Sequence, residues 1–233
     1  KLRNRVREEK KAVSRFDESL RLLKTAKPDC GLFGVLSFNY YGDIQPQVRQ
    51  ILYLLTLGFY DSKEGEKVTA FIPVDKFDDQ HYLVLATKQG TVKKTNLDEY
   101  SRPRQGGIKG IVLEDGDELI GAKLTNGSQE LMLVTKNGLA ARFSEEDARS
   151  IGRTSKGVRG ISLKDKDEVV SMLVCEPGKT IFTITANGYG KRSEVEEYRL
   201  IGRGGVGVIN IQCSDRNGHV VTSLCVDNNE LMI

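Results

Sequence analysis

A pattern of about 50 residues is repeated three times along the last two-thirds of this 233-residue chain. Each copy starts with a short apolar run and continues into four residues that begin with threonine and end with glycine, at Gly90, Gly138 and Gly188. A second, glycine-containing motif follows each of these glycines. A fixed period of this length is typical of proteins that stack one small unit or arrange it radially, so the repeat restricts the fold more than any other feature.

Each repeat predicts a small antiparallel sheet. The pairs Asn137-Gly138 and Asn187-Gly188 favour two-residue type I′ hairpin turns, and Gln89-Gly90 is a weaker form of the same signal. An apolar strand precedes each turn and a second strand follows it. The glycine motif and an acidic turn then lead to two further short strands. Four short strands per repeat, without long amphipathic helices, predict an all-β, propeller-like array rather than a parallel α/β sheet.

The repeat register also predicts where the blades begin and end. Three blades are expected at residues 67–116, 117–167 and 168–219, and we interpret residues 220–233 as a partial blade. Residues 1–66 are interpreted as a degenerate or truncated blade that begins with a charge-rich run. The predicted array is therefore incomplete, and we interpret the chain as a piece of a longer protein.

Composition and motifs argue against a membrane protein and against an enzyme. The longest apolar run, residues 51–59, is too short to cross a bilayer. The four cysteines lack close pairing and metal-ligand spacing, which favours small core thiols in a reducing, cytoplasmic setting over metal ligands. His81 and His219 have no serine or cysteine motif beside them. We therefore expect no catalytic residue, no cofactor and no metal.

Positive charge is concentrated in one part of each repeat. Residues 88–109 hold six lysines or arginines against two acids, residues 136–159 hold six against three, and residues 186–207 hold four against three. The whole chain has a net charge of only +3, so the remaining residues are acidic on balance. Such an uneven distribution indicates a face that binds a polyanion.

Cations at repeated positions are the candidate contacts to that polyanion. Lys94, Arg142 and Arg192 each lie four residues after a hairpin glycine, and Lys93 and Lys191 lie one position earlier. A repeated offset in a strand predicts a repeated side-chain direction, so these residues are expected to line one edge of successive blades. Glycines in the second motif could also let the backbone approach a phosphate closely. Further candidates precede or lie within that motif: Arg102, Arg104, Lys109, Arg153, Lys156, Arg159 and Arg203. The alternative is that single charged residues simply solvate the blade edges.

Several of these motifs resemble one known family. Residues 82–95, 152–161, 187–192 and 202–211 closely resemble the C-terminal domain of bacterial DNA gyrase A. The resemblance covers about residues 67–233 and implies a β-pinwheel, a propeller-like fold that binds double-stranded DNA and bends it around a basic rim. That wrapping lets gyrase introduce negative supercoils. The implied partners are DNA, the rest of gyrase A and the gyrase B protein. The catalytic tyrosine and the ATPase belong to other parts of that enzyme, so no catalysis is implied for this chain.

Two departures and two alternatives accompany the resemblance. The family's signature box belongs to the first blade and is missing, because Gln105-Gly106-Gly107 lacks its arginine pair, and residues 19–66 match a blade only loosely. The related C-terminal domain of topoisomerase IV and a propeller-type protein-interaction module are the alternatives.

For DNA binding we expect little sequence preference beyond the deformability of the DNA. If about six phosphates are neutralised, the logarithm of the binding constant should fall with the logarithm of the salt concentration with a slope near −5. Glutamate at Lys94, Arg142 and Arg192 should abolish binding and leave the fold intact.

Overall fold

A computed structural model describes residues 69–70, 72, 74, 76–102, 108–164 and 166–227, which all belong to one unit of the chain. The predicted blade at 1–66, the residue Arg104 and the end of the partial blade at 228–233 lie outside the described residues.

The described residues form short strands and single-turn 3-10 helices, which confirms the all-β prediction. The strands are β1 (Tyr82–Thr87), β2 (Thr91–Asn96), β3 (Leu119–Thr125), β4 (Glu130–Thr135), β5 (Leu139–Ser144), β6 (Val158–Arg159), β7 (Val169–Cys175), β8 (Thr180–Thr185), β9 (Gly190–Glu194), β10 (Val208–Ile209) and β11 (Val220–Val226). The 3-10 helices are Leu97–Tyr100, Glu145–Asp147 and Val195–Glu197, and each follows the second strand of a hairpin.

The three predicted hairpins are present as β1–β2, β4–β5 and β8–β9, but their turns differ from the prediction. In the first, Ala86 lies opposite Val92, and the amide of Gly90 donates to the Thr87 carbonyl at 3.0 Å. Gly90 has a φ of 84°, whereas the only described non-glycine residue with positive φ is Lys166. The loop therefore has three residues and places only its last one in the left-handed region, so the predicted type I′ turn is wrong.

Each complete sheet borrows a strand from the next repeat. The strand orders are β3-β1-β2-β6, β10-β5-β4-β7 and β11-β8-β9. β6 comes from the glycine motif of the second repeat and pairs with β2 of the first, and β10 of the third repeat pairs with β5 of the second in the same way. The hydrogen-bonded units extend to residues 125, 175 and 226, beyond the blade ends predicted at 116, 167 and 219. On the predicted bounds, β3, β7 and β11 each fall in the unit after the one whose sheet they join, because strand pairing depends on non-local contacts.

Glycines in the second motif allow this close approach between repeats. A Cβ on Gly157, which has a φ of 102°, would lie 2.7 Å from the carbonyl oxygen of Val92. A Cβ on Gly207 would lie 2.6 Å from the carbonyl oxygen of Ala140. Any larger residue would push the donated strand away from its acceptor. These glycines therefore bring protein backbone together, which differs from the predicted approach to a phosphate.

The hydrophobic core is shared between successive repeats. One cluster joins Val84 and Val92 of the first repeat to Leu133 and Phe143 of the second, and all four are fully buried. A second cluster joins the second and third repeats in the same way and contains Cys175. Burial raises the pKa of the Cys175 thiol to about 12. Each repeat thus completes its neighbour's core, as repeat proteins require. Among the described residues, no helix has the length and apolarity needed to span a membrane.

One buried polar contact differs between repeats. In the third repeat, the Tyr198 hydroxyl donates to Asn210 Oδ1 at 2.5 Å. The equivalent pair in the first repeat is Tyr100 and Gly110, and a Cβ on Gly110 would lie 3.7 Å from the Tyr100 hydroxyl. The Tyr100 hydroxyl is buried without a hydrogen-bond partner among the described residues. The first repeat therefore lacks the side chain that satisfies this hydroxyl in the third.

Candidate nucleic-acid interface

Lys93 lies inside the protein, between the first and second repeats. Its side chain is fully buried, and Nζ donates to the Gly110 carbonyl at 2.7 Å and to the Arg153 carbonyl. Burial disfavours the charged ammonium and lowers the pKa of Lys93 to about 8. A phosphate could reach this nitrogen only by displacing backbone. Lys93 therefore holds two glycine motifs together and is not exposed to a ligand.

Lys94 points the opposite way along the same strand and is also buried. Its Nζ lies 3.3 Å from Oε2 of Glu145 and 3.2 Å from the Glu145 carbonyl oxygen, and 4.6 Å from the centre of the Tyr82 ring. Glu145 is fully buried and begins the 3-10 helix of the second repeat. Its remaining acceptor capacity is used by the Thr125 hydroxyl at 2.7 Å and by the Gly127 and Gln129 amides. The ion pair is thus part of a complete polar network between two repeats.

Arg142 occupies the equivalent position one repeat later and has the same role. Its Nε donates to Glu130 Oε2 at 2.7 Å, and Nη1 donates to the carbonyls of Val195 and Tyr198 at 2.9 and 2.8 Å. Val195 is the first residue of the third repeat's 3-10 helix. The cation at this position therefore reaches the start of the next repeat's 3-10 helix in both described junctions.

The predicted roles of these three cations are therefore corrected. Their repeated offset does produce a repeated direction, but the direction is towards the next repeat. The reason is that β2 and β5 are interior strands, with a donated strand along their outer side. We now expect glutamate at Lys94 or Arg142 to destabilise the fold, because a second carboxylate would then face Glu145 or Glu130.

Lys191 and Arg192, the equivalent residues of the third repeat, are exposed. Lys191 Nζ donates to the Asn210 carbonyl at 3.1 Å, which corresponds to the contact of Lys93 with Gly110. Arg192 donates from Nε to the Thr180 hydroxyl and from Nη2 to the Asp227 carbonyl, both at 2.6 Å. No following repeat covers them within the described ranges, which explains why the same positions differ in exposure.

Six of the exposed cations among the described residues lie on the segments that follow the three hairpins, and two of these segments contain a donated strand. We call residues 97–111, 145–161 and 195–211 the connecting segments. Five of their basic side chains are exposed and form no ion pair within the described part of the chain: Arg102, Lys109, Arg149, Arg159 and Arg199. Residues 145–161 and 195–211 run along β2 and β5 of the preceding sheets, so their exposed side chains lie beside those sheets.

Arg149 and Arg199 were not in the predicted set. Each lies eleven residues after a hairpin glycine, 138 to 149 and 188 to 199, so a repeated offset was available in the sequence. Ser150 and Leu200, the residues after them, form parallel bridges to Lys94 and Arg142. The arginines therefore occupy equivalent exposed positions beside the buried cations that the sequence analysis selected instead.

Two further candidates are partly neutralised by acids, and a third is bound to backbone carbonyls. Arg153 lies 3.9 Å from Glu99, and the exposed Lys156 forms an ion pair with the exposed Glu114 at 2.6 Å. Arg203 is half-buried and donates from Nε to the Asp147 carbonyl at 3.1 Å. Exposed pairs such as that of Lys156 are worth little and exchange readily with another anion.

At the hairpin ends of the first two repeats, lysines form ion pairs with glutamates, unlike the five cations of the connecting segments named above. Lys88 lies 3.2 Å from Glu168 and 3.9 Å from Glu118, and Lys136 lies 2.9 Å from Glu168. Hydrogen bonds from Lys136 and Lys88 lower the pKa of Glu168, and the Glu168 carboxylate raises the pKa of Lys88. Opposite charges thus compensate each other here. Within the described part of the chain, the five cations of the connecting segments without an ion pair lack this compensation.

The basic character weakens in the third repeat. The residues equivalent to Lys156 and Arg159 are Val206 and Ile209, which are 45% and 71% exposed. An anion would meet aliphatic surface at these two positions. Cationic contacts are therefore concentrated in the first two repeats and at the junction with the third.

Acids and histidines elsewhere have structural partners. Asp117 Oδ1 accepts from the amides of Gln89 and Glu118, both at 2.9 Å, as expected for a turn residue. His81 Nδ1 lies 2.8 Å from Asp78 Oδ1, and the hydrogen bond with His81 lowers the pKa of Asp78. Within the described ranges, no three His, Cys, Asp or Glu side chains are grouped so that they could hold a metal ion.

Comparison with known proteins identifies the family of this chain. The chain matches the family described as DNA gyrase C-terminal domain, beta-propeller, over residues 81–126, 129–176 and 179–227. These three matches follow the three repeats and cover more than half of the chain. The chain belongs to this family.

Individual relatives agree with this assignment. DNA gyrase A of Salmonella typhimurium strain LT2 is 46% identical over 107 residues, which is 46% of this chain and 12% of that protein. DNA gyrase A of Aeromonas salmonicida is 47% identical over 100 residues, 43% of this chain and 10% of that protein. The chain therefore aligns with only about a tenth of the length of these relatives.

Solved structures show the same architecture. The crystal structure of the C-terminal domain of DNA topoisomerase IV superimposes with a TM-score of 0.64 at 31% identity, over 67% of this chain and 50% of that one. The structure of the DNA gyrase A C-terminal domain superimposes with a TM-score of 0.66 at 24% identity, over 72% of this chain and 57% of that one. The second likeness concerns the fold alone.

Proposed function

We propose that this chain binds double-stranded DNA without sequence preference and bends it along the exposed cations of its connecting segments. In this role it supports negative supercoiling by a gyrase and carries out no catalysis itself. Its partners are DNA, the remainder of gyrase A and the gyrase B protein, and its location is the bacterial cytoplasm. The gyrase A relatives favour gyrase, while the 31% identity to a topoisomerase IV domain favours that enzyme as the second candidate.

The observation that carries the proposal is the difference between the two sets of surface cations. At the hairpin ends of the first two repeats, Lys88 and Lys136 are compensated by Glu118 and Glu168. On the connecting segments, five exposed cations have no ion pair within the described part of the chain. Uncompensated exposed cations release counterions from a nucleic acid when they contact its phosphates, which is the main source of sequence-independent affinity.

The mechanism follows from the spacing of these cations. The connecting segments 145–161 and 195–211 run along two successive sheets, so a duplex that touches both must follow their arrangement. Bending a duplex of about 30 base pairs costs a few kcal/mol, which several phosphate contacts can offset. The described residues include no helix longer than a single 3-10 turn, so none of them forms a recognition helix for the major groove.

A gel-shift titration with a duplex of about 40 base pairs at two salt concentrations tests this proposal. The test variant changes Arg102, Arg149 and Arg199 to glutamine. The control variant changes Lys76, Lys123 and Lys164 to glutamine, which removes the same charge from exposed residues outside the connecting segments. The test variant should bind more weakly and lose about 2 to 3 from the log–log salt slope, at roughly 0.9 per phosphate. Equal weakening in both variants would contradict the site. Absence of binding by the unmodified chain at low salt would contradict DNA as the partner.

A further inference from the structure

Two arginines from successive repeats come together at the junction of the second and third repeats. Arg203 Nη1 donates to the Arg159 carbonyl at 2.5 Å. The methylene groups of Arg159 extend over the third repeat, because Cγ and Cδ lie 3.9 Å from the position that a Cβ on Gly204 would take. A Cβ at Gly204 would therefore be in ordinary van der Waals contact with Arg159. The Arg203 guanidinium thus contacts the Arg159 backbone, and the Arg159 side chain lies over the residue next to Arg203.

The contacts of this pair leave donors available. Arg203 is fixed by Asp147, which accepts from its Nε through the carbonyl at 3.1 Å and from its amide through Oδ2 at 3.3 Å. No described residue accepts a hydrogen bond from Arg203 Nη2 or from the exposed Arg159 guanidinium. Within the described surroundings, neither guanidinium forms an ion pair, and the Asp147 carboxylate accepts from the Arg203 backbone amide. A planar guanidinium fork is suited to a phosphate, which would also reduce the repulsion between the two arginines.

We propose that Arg159 and Arg203 form one composite phosphate site, and that a duplex bound there stabilises the junction between the second and third repeats. This inference rests on the proposed function for the source of the phosphate. The site is complete only while the two repeats are docked, because each contributes one arginine. A ligand that binds the docked repeats more tightly than the undocked repeats shifts the equilibrium towards docking by the same factor. DNA affinity and the stability of the junction are therefore coupled.

Backbone hydrogen bonds cross the junction, and exchange of their amides reports whether it is open. The amides of Gly204 and Ser162 donate across it to the carbonyls of Gly160 and Gly205, both at 2.9 Å. The amide of Ile151 donates to the Lys94 carbonyl at 2.9 Å and reports in the same way on the junction of the first and second repeats. Hydrogen exchange at these amides measures how often each junction opens.

The experiment compares the 233-residue chain with its Arg159→Gln and Lys123→Gln variants. Lys123 is exposed on β3 and serves as a charge-matched control. Amide exchange and affinity are measured with a duplex of about 40 base pairs and, separately, with inorganic phosphate. In the unmodified chain, saturating duplex should slow exchange of Gly204 and Ser162 by about tenfold. Arg159→Gln should remove that slowing, weaken duplex binding about tenfold and lower the salt slope by about 0.9. Lys123→Gln should keep the slowing.

Other outcomes separate this inference from the proposed function. If Arg159→Gln binds duplex with unchanged affinity and unchanged protection at Gly204, the composite site is wrong and the DNA-binding proposal stands. If the unmodified chain fails to bind duplex at low salt, the DNA-binding proposal is wrong, and the phosphate arm then decides. Slowing of Gly204 exchange by inorganic phosphate that Arg159→Gln abolishes would keep the site as a site for free phosphate. If inorganic phosphate leaves Gly204 exchange equally fast in the unmodified chain and in Arg159→Gln, the composite site is wrong.

Discussion

Replacing Lys94 by methionine should destabilise the protein without removing a DNA contact. Methionine keeps most of the side-chain volume but leaves Glu145, which is fully buried, without its cation. Removing one partner of a buried ion pair typically costs about 3 to 5 kcal/mol. Three hydrogen bonds to the Glu145 carboxylate remain, from Thr125 and from the Gly127 and Gln129 amides. We therefore expect Lys94→Met to lower the free energy of unfolding by about 3 kcal/mol, near the lower end of that range.

Urea denaturation measures this loss, with Lys123→Met as the matched control on an exposed strand position. The control should change the free energy of unfolding by less than about 0.5 kcal/mol. The double variant Lys94→Met with Glu145→Gln should recover part of the loss, since a neutral amide costs less to bury than an unpaired carboxylate. Equal, small losses for Lys94→Met and Lys123→Met would refute the reasoning, and so would a DNA affinity that falls in the fully folded Lys94→Met variant.

Three further predictions concern the buried lysine and the glycines. Because Lys93 has a folded pKa of about 8 and an unfolded value near 10.5, the unfolded chain binds more protons between these values. Stability relative to a Lys93→Met variant should therefore rise with pH across this window, by at most about 3 kcal/mol, and a constant difference in urea titrations would contradict the burial of its charge. Gly110→Asn should stabilise the protein by about 1 kcal/mol by accepting from the Tyr100 hydroxyl, and calorimetry should show a smaller gain in a Tyr100→Phe background. Gly138→Ala should cost well over the roughly 1 kcal/mol expected of Gly188→Ala, because both have positive φ but only at Gly138 would a Cβ meet backbone, 2.0 Å from a carbonyl oxygen. Similar losses in denaturant titrations would argue against close inter-repeat packing there.

The burial of the cations at the position of Lys94 and Arg142 changes how the charge pattern of this family member should be interpreted. Both residues bind the start of the next repeat's 3-10 helix, so they contribute to docking between repeats. Under the proposed function, substitutions there would reduce DNA binding indirectly, by undocking repeats, and would mimic loss of a phosphate contact in an assay without a stability measurement. Arg102, Arg149 and Arg199 form no ion pair within the described part of the chain and are free of this ambiguity, whereas Arg159 also lies over the third repeat.

Local signals were sufficient to predict the repeat, the three hairpins and the all-β class. A hairpin depends on a few adjacent residues, such as Gly138 with its positive φ, and on the apolar run before it, so sequence pattern and structure agree there. The turn type was wrong because three-residue and two-residue loops share the same Asn-Gly signal. The acidic turns were also predictable, since Asp117 accepts from nearby amides as turn aspartates do.

Tertiary structure alone decided which cations are exposed. A lysine in the second strand of a hairpin is equally compatible with an edge strand and an interior strand, and the choice depends on a donated strand from about 65 residues further along the chain, as in the pairing of Val92 with Val158. That pairing buries Lys93 and Lys94 in the first repeat, whereas the equivalent Lys191 of the third repeat stays exposed. Charge and spacing in the sequence thus determined that the protein has a basic, repeated surface. The contacts between repeats determined which side chains belong to it, because burial is a property of neighbours that are distant in sequence.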